Sequence, residues 1–142
     1  MITQETKSIT VSVQVNAKAE NVWKFWTSPE HITKWNCASP DWHSPRAKHD
    51  LRVGGRFNFR MEAKDGSMGF DFEGTYYVVK PNQYLEYTMD DGRKVKITFE
   101  ELDGKTFITE TFDAETTNSL ELQQNGWQSI LDNFKSYTES NI

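Results

Sequence analysis

The chain has one cysteine, four prolines and three histidines in 142 residues, and no long apolar run. A lone Cys37 excludes an internal disulfide and fits a reducing compartment. No stretch approaches the ~18 apolar residues of a membrane helix, and residues 1–15 hold no apolar signal-peptide core. These absences predict a cytoplasmic protein that is neither exported nor membrane-spanning. Positive charge is in deficit, with a formal net charge of −5. That argues against a nucleic-acid partner and against adhesion to anionic membranes. The G-x-S-x-G, P-loop, H-E-x-x-H and G-x-G-x-x-G motifs are all missing, so no nucleophilic triad and no nucleotide loop can be drawn. No repeat, low-complexity tract or linker divides the chain, which reads as a single domain over 1–142.

Aromatic residues, by contrast, make up 13% of the chain. Apolar area is therefore concentrated in a few large side chains. The longest helical period lies at 117–140, where Leu120, Gln123, Trp127, Ile130, Leu131, Phe134 and Tyr137 recur at three- and four-residue steps. The period predicts a helix over 117–139, with Asn118 as N-cap and Glu121 completing a partial capping box. Residues 6–15 alternate, with Ile9, Val11, Val13 and Val15 on one face of a strand. Asn16 then caps a short helix at about 17–26 carrying Val22, Trp23, Phe25 and Trp26. Ser28-Pro29 opens a second helix at 29–35 with Ile32 and Trp35.

Polar residues 36–49 predict a loop that becomes a strand near Arg46. From there a meander follows. Phe57, Phe59 and Met61 share one face, then Phe70, Phe72, Gly74 and Tyr76, then Leu85, Tyr87 and Met89. Val95, Ile97 and Phe99 come next, and Ile108, Glu110 and Phe112 close the series. Asp65-Gly66, Asp91-Gly92 and Asp103-Gly104 are hairpin signals, and Pro81-Asn82 is a turn signal. The order predicts an α+β fold, an antiparallel sheet of six to seven strands curved around a long C-terminal helix. Gly54-Gly55 predicts a turn or bulge, and Gly74 a close approach of another element. Gly126 costs about 1 kcal/mol inside a helix, which predicts close packing of that helix on the sheet.

Several pieces, in order, resemble one family: VWKFWTSPEHITKW, DLRVGGRFNF, the DG at 65–66, GTYYVVKPNQYLEYT, TETFDAE and GWQSILDNF. They are similar to the START-like (SRPBCC) superfamily, in its branch related to the activator of Hsp90 ATPase (AHSA1-like). The resemblance covers almost the whole chain. It implies a helix-grip fold, with a cavity between sheet and C-terminal helix that binds a lipid-like, polyketide-like or other aromatic small molecule. It supplies no catalytic set. Its chaperone branch implies a possible co-chaperone role in the stress response, although this chain lacks the N-terminal half that such activators resemble.

Strand parity and the helix stripe, taken with that resemblance, give the expected ligand-binding set. It comprises Trp35, Phe59, Phe72, Tyr76, Tyr87, Phe99, Glu110, Gln123 and Trp127. The same aromatics could also form an ordinary close-packed core. Glu110 lies between Ile108 and Phe112 on an inward parity. It reads either ligand or acid/base chemistry, or it hydrogen-bonds Tyr76, Tyr87, Gln123 or Trp127, or a register slip turns it outward. Cys37, His43 and His49, with Asp41 and Asp50, fall in one loop. Their C-x5-H-x5-H spacing matches no usual zinc site, so the loop reads as a cavity rim with Trp42 as a flap. The leading expectation is non-catalytic binding of a small hydrophobic molecule, without metal or cofactor, by a monomer or homodimer. A chaperone-interaction module and a cyclase- or hydrolase-type enzyme using Glu110 are the alternatives.

Overall fold

The computed structural model describes residues 7–142. Strand β1 (Ser8–Val15) leads into helices α1 (Ala19–Thr27) and α2 (Pro29–Trp35). Two short strands follow, β2 (Trp42–His43) and β3 (Ala47–His49). The meander comprises β4 (Arg56–Ala63), β5 (Gly69–Lys80), β6 (Tyr84–Met89), β7 (Lys94–Leu102) and β8 (Lys105–Asp113). Helix α3 (Leu120–Ser140) closes the chain. The expected start of the first strand, at Thr6, lies outside the described residues.

All pairings are antiparallel, in the order β1-β8-β7-β6-β5-β4-β2, with β3 also on β4. Because β2 and β3 occupy successive stretches of the same β4 edge, they act as one interrupted seventh strand. The expected α+β, helix-grip architecture is the observed one: a curled antiparallel sheet, two short helices after β1, and a long helix against its inner side. The inward series alternate as their sequences require. Val95, Ile97 and Phe99 are buried between exposed Lys96 and Thr98, and Ile108 and Phe112 face them from β8.

The helix starts differ from expectation. α1 begins at Ala19, and Lys18 provides no side-chain cap. Glu101 of β7 instead accepts a 2.7 Å hydrogen bond from the Ala19 N–H. Asn16 uses its own N–H to bond Glu139 near the end of α3 (2.8 Å). A cap delivered from a distant strand leaves no local signal. At α3 the cap is Ser119, whose hydroxyl accepts from the Leu122 N–H, so the helix opens later than Asn118 would place it. Ser28 and Pro29 stand where expected at the start of α2, although the Ser28 side chain makes no cap bond.

The glycines divide. At Gly74 a Cβ would meet the Thr88 carbonyl oxygen and lie 2.9 Å from the Phe57 ring, so that strand position needs glycine. Gly54 has φ +83°, the left-handed turn its sequence suggested. Gly126 does not pack closely on the sheet: a Cβ there would meet nothing within 4 Å.

Candidate functional site

Helix α3 does not cover the sheet evenly. It lies directly against β1, and its Leu131 and Phe134 are completely buried. Phe134 packs edge-on to Trp26 of α1 (ring centroids 4.8 Å apart) and to Trp35 of α2 (4.9 Å). Over β4, β5 and β6 the helix stands off, and a cavity of about 230 Å³ fills the gap. Its floor is Phe57, Phe59 and Met61 of β4, Phe70, Phe72 and Tyr76 of β5, and Leu85 and Tyr87 of β6. Trp127 and Ile130 of α3 form the roof, and Trp26, Thr27, Trp35 and Asn36 the side wall. Arg93, from the turn after β6, and Glu110 of β8 supply charge-bearing groups.

The wall is mutually braced. Phe57 lies 4.8 Å from Tyr87, edge to face, and 5.2 Å from both Phe59 and Tyr76. Trp127 stacks on Phe112 at 3.8 Å and 11°, and turns an edge toward Phe72 at 6.1 Å. Such contacts add ~0.5–1.5 kcal/mol each beyond burial and fix ring positions. The volume exceeds the ~150 Å³ of an apolar void that holds benzene, and falls just short of the ~300 Å³ at which drug-sized sites begin. A second hollow, about 430 Å³, lies on the outward parity of β4 and β5 among Lys48, Asp50, Arg56, Asn58 and Glu73. It is the larger, but charged, largely exposed side chains rim it and only Phe57 and His49 give it ring surface, so it lacks the apolar walls of a small-molecule site.

Glu110 is 5% exposed and borders the cavity. Its flanking residues in register, Val11 and Ile97, are equally buried. Among the described residues its carboxyl has no hydrogen-bond partner, and desolvation pushes its pKa up to about 8. At neutral pH it is therefore an uncharged carboxylic acid. The partners expected from sequence do not bond to it. Tyr76 gives its hydroxyl to His49, and Gln123 is committed to the loop before α3. There its Oε1 accepts from the Glu115 N–H (2.8 Å), and its Nε2 donates to the carbonyls of Glu115 (3.1 Å) and Asn118 (2.9 Å).

Seven of the nine expected site residues, Trp35, Phe59, Phe72, Tyr76, Tyr87, Glu110 and Trp127, border the cavity. Gln123 is a loop clamp instead. Phe99 is also off the lining. It packs edge-on to Trp23 (5.5 Å) and Trp26 (5.6 Å), because α1 covers that part of β7 before the cavity begins. The expected set left out Trp26, Thr27, Asn36, Phe57 and Phe70, together with Arg93, Leu85, Met61 and Ile130. Parity and the helix stripe could have given the last three, whereas a turn residue such as Arg93 has no period to betray it.

His49 was grouped with a loop but stands behind the wall. Its Nε2 lies 2.6 Å from the Thr27 carbonyl and its Nδ1 2.7 Å from the Tyr76 hydroxyl. Burial lowers its pKa, so the ring is neutral at pH 7. A carbonyl can only accept, so Nε2 carries the proton and Nδ1 accepts from Tyr76. The relay ties the end of α1 to β5 through β3. The remaining loop candidates are dispersed. Cys37 takes a 3.4 Å contact from the Asn133 amide, and burial pushes its thiol pKa up. His43 faces Glu62 at 4.0 Å, and Trp42 leans on Phe70 at 6.1 Å without lining the cavity. Among the described residues no group of three or more His, Cys, Asp or Glu side chains could hold a metal ion. No described helix is long and apolar enough to cross a membrane.

The same arrangement of sheet and helices recurs in other proteins. The AHSA1-like protein from Aeromonas hydrophila is 48% identical, with TM-score 0.85 and 93% of each chain covered. Chr148 from Cytophaga hutchinsonii is 57% identical, with TM-score 0.82, covering 94% of this chain and 93% of its own. CV1439 from Chromobacterium violaceum is 22% identical, with TM-score 0.85 over 94% of this chain and 98% of that one, and shares the fold. No curated protein matches the chain. The family model described as activator of Hsp90 ATPase homolog 1-like protein matches residues 16–139, from the end of β1 to the last turn of α3. That span holds every residue lining the cavity, and the chain belongs to the activator of Hsp90 ATPase homolog 1-like family.

Proposed function

We propose that this protein binds a small hydrophobic or aromatic molecule in the cavity under α3, without transforming it. The observation that carries the reading is a void of about 230 Å³ whose floor and roof are chiefly aromatic, next to a buried carboxyl without a protein partner. Close packing is the rule in protein interiors, and an unpaired buried acid is costly. Both features gain a purpose if a ligand completes the interior.

The test is uptake against a filled cavity. Purified protein is titrated with small aromatic compounds, following tryptophan fluorescence, to which Trp26, Trp35 and Trp127 contribute from the cavity wall, and thermal stability. Wild type is expected to bind with a rise in Tm, and Ile130→Trp, which occupies the space, to bind nothing while remaining folded. Equal uptake by both would reject the cavity as the site.

A chaperone-interaction role is the second reading. It is favoured by the family and by Met68 (65% exposed) and Phe70 (50% exposed) on the β4–β5 hairpin. Titration with a purified Hsp90-type chaperone, using Met68→Lys as control, separates it from small-molecule binding, because Met68 does not line the cavity.

A further inference from the structure

The polar groups that border the cavity are not a balanced set, and their bias identifies what the cavity accepts. Arg93 is a cation with donors only. Its Nε–H goes to Asp91 at 2.8 Å, while its two terminal nitrogens bond no described residue. Its side chain is 23% exposed, so it is held at the edge of the interior, whereas Asp91 at 52% is largely in water and screens it weakly. Tyr87 is buried on β6, and its hydroxyl bonds no described residue. It is close enough to Arg93 to feel its charge, and to Glu110 to feel that group once it ionises. Glu110, in its acid form, offers an O–H to the same space.

Acceptors are fewer on this wall. The Thr27 carbonyl already takes the His49 proton, and the Asn36 amide offers acceptor and donor alike, so it leaves the bias toward donors in place. A site with surplus donors and one cation suits a molecule with surplus acceptors and one negative charge.

Building on the cavity reading above, we infer that the ligand is a small aromatic acid. Its ring system lies among Phe57, Phe72 and Trp127, its anionic oxygens meet Arg93 and Tyr87, and Glu110 donates to an oxygen. The net charge of −5 makes this a local preference rather than general attraction of anions. The arrangement also has a built-in condition. Once Glu110 ionises it repels the anion and ceases to donate. The titratable groups that share the cavity with it are Tyr87 of β6, Tyr76 of β5 and Arg93 of the following turn, of which Tyr87 is close enough to feel its charge; β1 and β7 set Val11 and Ile97 beside it, and α3 brings Ile130 and the Trp127 indole to the same cavity.

The probes are 2-naphthoate, 2-methylnaphthalene and 2-naphthylmethylammonium, alike in shape and different in charge. Benzoate, toluene and benzylammonium give the same comparison at smaller size. By calorimetric titration at pH 7, the acid is expected to bind about tenfold or more tighter than the neutral compound, and the ammonium compound weakest. Arg93→Gln should weaken the acid about tenfold and leave the neutral compound within about twofold, and Arg93→Lys should recover part of the loss. Raising the pH from 7 to 9 should weaken 2-naphthoate in wild type but not in Glu110→Gln, which keeps a neutral donor. Neutral and acidic probes binding alike, or Arg93→Gln weakening both equally, would overturn the aromatic-acid inference while leaving the cavity reading intact. No binding by any of the six probes would overturn the cavity reading and this inference with it.

Discussion

The inner side of the sheet has two halves, both apolar, with opposite results. Over β1, β8 and β7, helices α1 and α3 lie in contact, and Val15, Val95, Ile97, Ile108, Leu131 and Phe134 are sealed almost completely. Over β4, β5 and β6, the helix stands away, and Phe59 and Phe72 remain only partly covered. The sealed half presents mainly β-branched side chains and the open half mainly aromatic ones, and α3 closes on the first while standing off the second. Trp127 holds that distance by stacking flat on Phe112 and presenting only an edge to Phe72. One half therefore carries stability and the other keeps space.

The largest expected effect tests that division directly. Phe134→Ala, in the sealed half, should destabilise by about 3–5 kcal/mol, the range for removing a fully packed aromatic. Phe72→Ala, already beside a void, should cost only about 1–2 kcal/mol, because fewer neighbours lose contact. Urea denaturation of both variants checks the contrast, and equal losses would mean that the two halves are energetically one core.

Next in size is the pH dependence that Glu110 imposes. In the fold its pKa is about 8 against an ordinary 4.5, so between these values the folded chain keeps a proton that the unfolded chain has lost. Stability from this group is complete below about pH 4.5, declines by ~1.4 kcal/mol per pH unit as pH rises, and stops declining above about 8. His49 acts oppositely. Burial keeps it neutral, so its contribution is present above its ordinary 6.5 and is lost as pH falls below that. The Glu110 slope should thus be cleanest between about pH 6.5 and 8, amounting to roughly 2 kcal/mol. Glu110→Gln should flatten it, measured as ΔG of unfolding across that range. A slope unchanged in the variant would show that Glu110 is solvated or paired in solution.

A smaller effect should follow from the relay behind the wall. His49→Phe keeps a planar ring but removes both nitrogens, leaving the Tyr76 hydroxyl and the Thr27 carbonyl without their partner. The expected loss is about 1–3 kcal/mol, the cost of buried groups left unsatisfied. The comparison is with His31→Phe, whose 2.6 Å bond to Tyr137 lies away from the cavity. Only the His49 change should also alter ligand uptake, because Thr27 and Tyr76 line the cavity.

What the sequence reveals follows from how local each cause is. Strand alternation, the hairpin dipeptides and the α3 stripe act over a few residues, so the sheet order and the long helix were legible from them. The inward parity of Glu110 was legible for the same reason, since it shares a face with Ile108 and Phe112 whatever the tertiary contacts are. What escaped depends on residues far apart in the chain. Glu101 caps α1 across 82 positions, and His49 meets Tyr76 across 27. Phe99 obeys its strand parity and still misses the cavity, because parity gives a face but not which helix will cover it. Arg93 sits in a turn, where no period exists to read.

The smallest expected effect concerns Gly126 and has the opposite sign. A glycine within a helix loses more backbone freedom on folding than alanine does, a penalty of about 1 kcal/mol. That penalty would be offset if a Cβ were excluded, as it is at Gly74 by the Thr88 carbonyl and the Phe57 ring. At Gly126 nothing lies within 4 Å of the added carbon, and no left-handed φ calls for glycine there. Gly126→Ala should therefore stabilise the protein by roughly 0.5–1 kcal/mol, while Gly74→Ala should destabilise it through direct overlap. Yet Gly126 directly precedes Trp127 of the cavity roof, so its backbone freedom adjoins the cavity. If that freedom admits the ligand, Gly126→Ala should raise Tm and slow uptake of 2-naphthoate in stopped-flow mixing, with little change in equilibrium affinity. If the glycine is only a local weakness, Tm rises and the uptake rate stays as in wild type, and α3 moves as a rigid roof.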